Sequence, residues 1–184
     1  MNLRLIPNDQ INFQVPIVST EQELIWEHSL CKPLRSLSPT RKGDWGRQLV
    51  QKAIEWHGVK AERRHDRGDI TAEPDEIIEV KTTMQGTGGK FWWNTISFNQ
   101  DGWTSLALVM IQPEHIRVFL LTRLQAMQMM MDDNTLTSAG QFARVDINTI
   151  MEIKFWLRTI DESIEELLKY STLILDCHPS FIIK

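Results

Sequence analysis

GDITAEPDEIIEVKTT, residues 68–83, decides how the rest of the chain is read. Apolar and polar residues alternate in two runs, Asp69 to Ala72 and Glu76 to Thr83, parted by the polar Glu73-Pro74-Asp75. Such alternation marks strands, because successive side chains of a strand point to opposite faces. Two runs joined by a three-residue loop predict a hairpin. In its register Ala72 pairs with Glu76, so Asp69 falls opposite Glu79. Glu79 and Lys81 then share a face with Asp69, and Val80 points to the other. Asp75 stays in the loop, a strand's length from Glu79, beside a proline that cannot donate to the ladder.

The flanking segments supply the rest of a layered fold. TEQELIWEHSLC (20–31) predicts a short helix with Leu24, Ile25 and Leu30 facing inward, and KPLRSLSPTRKG (32–43) a loop. DWGRQLVQKAIEWHG (44–58) is a stronger helix: Trp45, Leu49 and Ala53 recur every four residues beside Val50 and Ile54, and Gly58 stands at the C-terminal cap. VKAERR (59–64) adds a strand before the hairpin, which makes a three-strand antiparallel meander. SLALVMI (105–111) is apolar throughout, as in a strand covered on both faces, and IRVFLLT (116–122) returns beside it after the turn Gln112-Pro113-Glu114-His115. Thr122 with Gln125 is a capping box opening the Met-rich helix LQAMQMMM, and Thr159 with Glu162 another opening IDESIEELLKY. There Ile160, Ile164, Leu167 and Leu168 form the apolar face. The Met stripe is read as core filler. The expectation is an α/β fold with a central mixed β-sheet flanked by helices and with N- and C-terminal helical elaborations.

A length of 184 residues with 42% hydrophobic content suits one domain, residues 1–184. No apolar run reaches the roughly 20 residues of a membrane span, and the first residues lack a signal-peptide pattern. The two cysteines, Cys31 and Cys177, fit neither a disulfide framework nor a paired metal motif. Together these features predict a cytoplasmic protein. Net charge is −4, but residues 32–67 hold ten of the 20 Lys and Arg against four acids. That stretch is +6 and the remainder −10. A local basic surface can serve phosphates on an acidic molecule, and it can equally be a solvated face.

Asp69 opposite Glu79 raises an electrostatic problem, since neighbouring carboxylates repel unless a cation lies between them. A hard divalent ion resolves it. Mg²⁺ takes about six oxygens, one or two of them protein carboxylates and the rest water, carbonyl or phosphate. Asp69, Glu79 and the Val80 carbonyl supply three. Lys81, one strand step on, is placed to hold or deprotonate an attacking water and to offset charge on phosphorus. A Glu-x-Lys alone is commonly a solvent-facing ion pair worth roughly 0–1 kcal/mol. The ordered set is more specific: a helix, Gly58, Gly-Asp-Ile, ten residues to Glu-Val-Lys, a Trp-rich loop and an apolar strand.

That set, over about residues 41–120, resembles the PD-(D/E)xK nuclease superfamily, the restriction-endonuclease-like fold, whose core runs helix, three-strand meander, helix, strand. The resemblance implies Asp69, Glu79 and Lys81 as catalytic residues, with Asp69, Glu79 and the Val80 carbonyl on Mg²⁺, or Mn²⁺ in its place. It implies hydrolysis of phosphodiester bonds in DNA, and a type II restriction-type homodimer is the leading expectation. A structure-specific repair, recombination or phage nuclease, or a DNA-binding subunit with lapsed catalysis, are the alternatives. Many members carry a further glutamate on the first core helix, where this chain reads Gly46-Arg47-Gln48; Gln48, or Asp44 one turn earlier, stands in its place. Asp66 is an alternative metal acid, disfavoured by the register.

Family members often face DNA with the segment after the lysine strand. Here MQGTGGKFWWNTISFNQDGW (84–103) offers Lys90 to phosphate or guanine and Asn94 and Gln100 to adenine, with one of Trp92 and Trp93 expected in the core. Arg63 and Arg64 flank the hairpin as backbone contacts. No phosphate loop of the Gly-Lys-Ser type occurs, so no nucleotide cofactor is expected. His57, His65, His115 and His178 lack metal-ligand spacing.

Overall fold

The computed structural model describes residues 21–64, 69–86, 89–98, 102–132, 137–138, 154–160 and 164–183. Two short helices, α1 (Glu21–His28) and α2 (Lys32–Arg35), precede the long α3 (Pro39–Trp56). The meander follows as β1 (Ala61–Arg63), β2 (Ile70–Ala72) and β3 (Glu76–Met84). Then come β4 (Lys90–Ser97), β5 (Ser105–Ile111), β6 (Ile116–Thr122), α4 (Arg123–Asp132), β7 (Thr137–Ser138), β8 (Lys154–Ile160), α5 (Ile164–Leu168) and β9 (Thr172–Cys177). Six strands form a mixed sheet in the order β1-β2-β3-β5-β6-β9, parallel only between β3 and β5. A second sheet runs β4-β8-β7.

β5 is buried along its whole length, and its alternation divides the interior into two layers. Ala107, Val109 and Ile111 pack with Ile78, Val80 and the α3 residues Leu49, Val50 and Ile54. Leu106, Leu108 and Met110 pack on the other face with Phe91, Trp93, Ile96 and Phe98 and with Ala126 and Met129 of α4. Trp45 is partly buried against the α3 layer. The Met-rich helix therefore is core filler. Its capping box forms as read, with Thr122 N–H donating to Gln125 Oε1 at 2.8 Å and Gln125 N–H to Thr122 Oγ1 at 3.2 Å.

Four expectations need correction. α3 starts at Pro39, inside the segment read as a loop, because Ser38 caps it by accepting the Arg41 N–H and Pro39 at its first turn needs no donor. Leu24 and Ile25 of α1 and Leu30 just beyond it are 49%, 48% and 46% exposed, while Trp26 of α1 is buried. A two-turn helix offers one narrow inward face, and the indole, which buries more area than an aliphatic side chain, occupies it. The crossover from β3 to β5 carries β4, where the resemblance implied a helix. Aromatic and β-branched residues fill KFWWNTIS and turn Phe91, Trp93 and Ile96 into the core, which favours a pleated strand.

Among its described residues the C-terminal elaboration is also mostly strand. Thr159 and Ile160 lie in β8, paired with Phe91 and Lys90 of β4, and not in the helix expected to include Ile160; Glu162 of the second capping box lies outside the described residues, and α5 is Ile164–Leu168. Leu167 is buried and Leu168 exposed, which narrows the apolar face expected of that helix. Pairing with β4 satisfies the backbone of KFWLRTI in a way a local helix signal cannot anticipate. Among the described residues, no helix is long and apolar enough to cross a membrane.

Candidate active site at the β2–β3 hairpin

The hairpin register is Ile70 with Ile78, Thr71 with Ile77 and Ala72 with Glu76, as read from the sequence, and Asp69 stands immediately before β2. Asp69 N–H donates to the carbonyl of Ile78, the residue paired with Ile70, at 2.9 Å, which ties Asp69 to β3. β2 is short, and among the described residues no other strand pairs with β3 on that edge. The Asp69 side chain takes over: its Oδ2 accepts the Val80 N–H at 2.9 Å. Since a strand residue directs its N–H and C=O to the same edge, the Val80 carbonyl points toward Asp69 as well. The Val80 side chain is buried under α3.

Glu79 and Lys81 lie together on the opposite face, with Lys81 Nζ 2.8 Å from Glu79 Oε1. Their side chains are 26% and 21% exposed and Asp69 is 19% exposed, so the group is open to a small ion yet partly shielded from water. Asp75 sits in the exposed turn and does not join them.

Helix α3 reaches this edge through a residue the sequence reading passed over. Arg47 donates from Nη1 to Asp69 Oδ1 at 3.1 Å and from Nη2 to Asp44 Oδ1 at 3.0 Å. Arg63 of β1 donates to the same Asp44 oxygen at 2.6 Å. The hydrogen bonds from Arg47 and then Arg63 hold the Asp44 carboxyl below the usual carboxylate range. Burial works to lower the Arg47 pKa, but the bond to Asp44 and the charge of Asp69 outweigh it and hold the guanidinium above its ordinary value.

Gly46 makes the approach of the helix possible. A Cβ at that position would lie 1.8 Å from Thr82 Oγ1 on β3, so only glycine lets α3 rest on the strand there. Asp44 and Arg47, spaced i,i+3 on one helical face, are a pairing visible in sequence. Their link to Asp69 is not, because it depends on where Gly46 docks.

The other expected residues divide clearly. Gln48 is exposed and is not brought to the hairpin, because Leu49 and Val50 turn inward and leave it on the outer face of α3. Asp44 reaches the edge of the site, bound to two arginines. Arg63 is engaged by Asp44, and the Arg64 N–H donates to the Asp69 carbonyl at 3.0 Å. Lys90 is exposed at the start of β4. Trp93 and Trp103 are core and Trp92 is 39% exposed. Gln100, His65 and Asp66, together with the Asn94 side chain, lie outside the described residues.

Among the described residues, no three His, Cys, Asp or Glu side chains cluster around one point. Mg²⁺ asks for less, one or two carboxylates with water and phosphate completing the shell. Asp69 and Glu79 are such a pair of hard donors, and each carboxylate keeps lone pairs beyond those its present partners use. The donor set therefore fits a Mg²⁺-type cation. Comparison with known proteins finds no family whose profile matches the chain and no curated protein that aligns with it.

Proposed function

We propose that the protein is a Mg²⁺-dependent DNA endonuclease of the restriction-endonuclease-like type, acting as a homodimer on duplex DNA. The single observation that supports this reading is Asp69 accepting the Val80 N–H of β3, with the flanking Glu79 and Lys81 joined as an ion pair. Asp69, Glu79 and the Val80 carbonyl would hold the cation, which supplies polarisation of a phosphoryl oxygen and acidification of water. The chain's residues do the rest. Lys81 holds the attacking water or takes its proton and offsets charge on the phosphoryl oxygens. Lys90 and the basic side chains beside the hairpin meet the DNA backbone. Dimerisation follows from the task, since one site cuts one strand and two related by a two-fold cut both.

Purified protein incubated with Mg²⁺ and plasmid DNA is expected to cleave it, and Lys81→Ala to cleave about 10²-fold more slowly or worse. Equal rates would remove Lys81 from the mechanism. No cleavage of duplex, junction or flap DNA would sink the nuclease reading, while cleavage of junctions or flaps alone would move the substrate to branched DNA.

A second reading is favoured by one feature: α3 turns Arg47, not a carboxylate, toward Asp69. On that reading the chain is a DNA-binding subunit that keeps the fold without the chemistry. Calorimetry distinguishes the two, because a lapsed site would bind Mg²⁺ or Mn²⁺ no better than Asp69→Ala does.

A further inference from the structure

Arg47 has two anchors of different kinds. Asp44, one turn earlier on the same helix, is a local partner that moves with it, and Arg63 pins that partner from β1. Asp69 belongs to the hairpin and is the acid a divalent cation would use. A cation held by Asp69 and Glu79 would lie beside the Arg47 guanidinium, 3.1 Å from the shared carboxylate oxygen, in a setting only partly screened by water. Two positive centres so close compete for one carboxylate. Once Asp69 is lost, Asp44 is left between Arg47 and Arg63, a group with net charge +1 that carries a planar donor fork suited to phosphate.

We infer that Arg47 is the resident counter-ion of the cation site: it holds Asp69 while no divalent ion is bound, yields that oxygen when one binds, and, still tethered to Asp44, presents its guanidinium to an oxygen of the DNA phosphodiester. This rests on the metal-dependent reading above. Arg47 is then a positioning residue in the free protein and a substrate contact in the loaded one. It also accounts for an arginine where the resemblance implies a helix glutamate. The helix contributes a mobile cation that is exchanged for the metal.

The test is calorimetric titration of Mg²⁺, without DNA, into wild type, Arg47→Met and Asp69→Ala. Methionine keeps much of the arginine stem and removes its charge. Arg47→Met is expected to bind Mg²⁺ about five- to tenfold more tightly than wild type. With Ca²⁺ replacing Mg²⁺, it is expected to bind a short duplex about tenfold more weakly, and without divalent ion to lose much less. If wild type binds Mg²⁺ through Asp69 and Arg47→Met binds it equally or more weakly, the Arg47 inference is overturned and the metal site stands. If neither protein binds a divalent ion, both readings fall. A second measurement needs no variant: the Arg47 Nε–Hε NMR signal of the wild type should shift with the same midpoint as the calorimetric titration. A signal that stays fixed while the metal binds overturns the inference.

Discussion

Asp69 has two tasks that a side chain rarely combines. It continues the β2–β3 pairing past the end of β2 by accepting the Val80 N–H, and it offers its other oxygen to Arg47. An asparagine could keep the first task but not the charge that the second requires. The ion pairs behind it set a pH dependence with a definite sign. Asp44 has a carboxyl held below its ordinary value of about 3.9, so its contribution to stability is present above that pH and is lost as pH falls through the lower folded value. The difference in thermal midpoint between wild type and Asp44→Asn should therefore be constant from pH 7 down to about 5 and shrink toward zero below about pH 4. A difference that persists at about pH 2 would show that Asp44 acts by packing or neutral hydrogen bonding. Cys31 titrates at the other extreme. Burial pushes its thiol up to about 11, so at neutral pH it is an inert core residue, in keeping with the absence of a metal or disulfide pattern around it in sequence.

The contact between α3 and β3 sets the geometry of the whole site, and it rests on one glycine. Gly46→Ala would force a methyl group into Thr82, whose hydroxyl is buried there without a hydrogen-bond partner among the described residues. Such overpacking costs roughly 1–3 kcal/mol, and relief by moving the helix would carry Arg47 away from Asp69. Urea unfolding of Gly46→Ala should show a lower midpoint, and Thr82→Ala in the same chain should restore most of the loss. Additive losses in the double variant would mean that the two residues do not meet. The sequence showed α3 clearly enough through the Leu49, Val50, Ala53 and Ile54 stripe, which is buried as expected. It did not show β4, because a strand in a crossover position is selected by the second sheet it joins and by the aromatic residues it buries, both non-local.

At the scale of the molecule, charge and topology act together. The parallel β3–β5 pair is enclosed between α3 on one face and β4 with α4 on the other, and the hairpin carrying Asp69 and Glu79 lies toward the β1 edge of the sheet. Arg63 and Arg64 sit on that edge, so positive charge is collected around the site although the chain as a whole is −4. DNA affinity measured in Ca²⁺ should accordingly fall steeply with salt, with a slope of log K against log salt near −3 if about three phosphates are neutralised, as the basic groups at the site suggest. Arg64→Gln should lower the slope by about 1. A slope near zero would indicate that net charge, not the local group, governs the surface.

Alternation alone determined the hairpin: the spacing of Ile70, Ala72, Glu76 and Ile78 left one register that kept Ile70, Ile78 and Val80 on the buried side, and it left Asp75 in the exposed turn. Periodicity likewise determined the body of α3, β5 and β6, whose side-chain patterns are strong. Only the tertiary structure decided which helix residue faces Asp69. Gln48 and Arg47 are neighbours on α3, and whether one or the other meets the hairpin depends on the rotation of the helix against β3, set by the Gly46–Thr82 contact between residues 36 positions apart. Local pattern carries no information about that rotation, because it arises from packing two elements already formed.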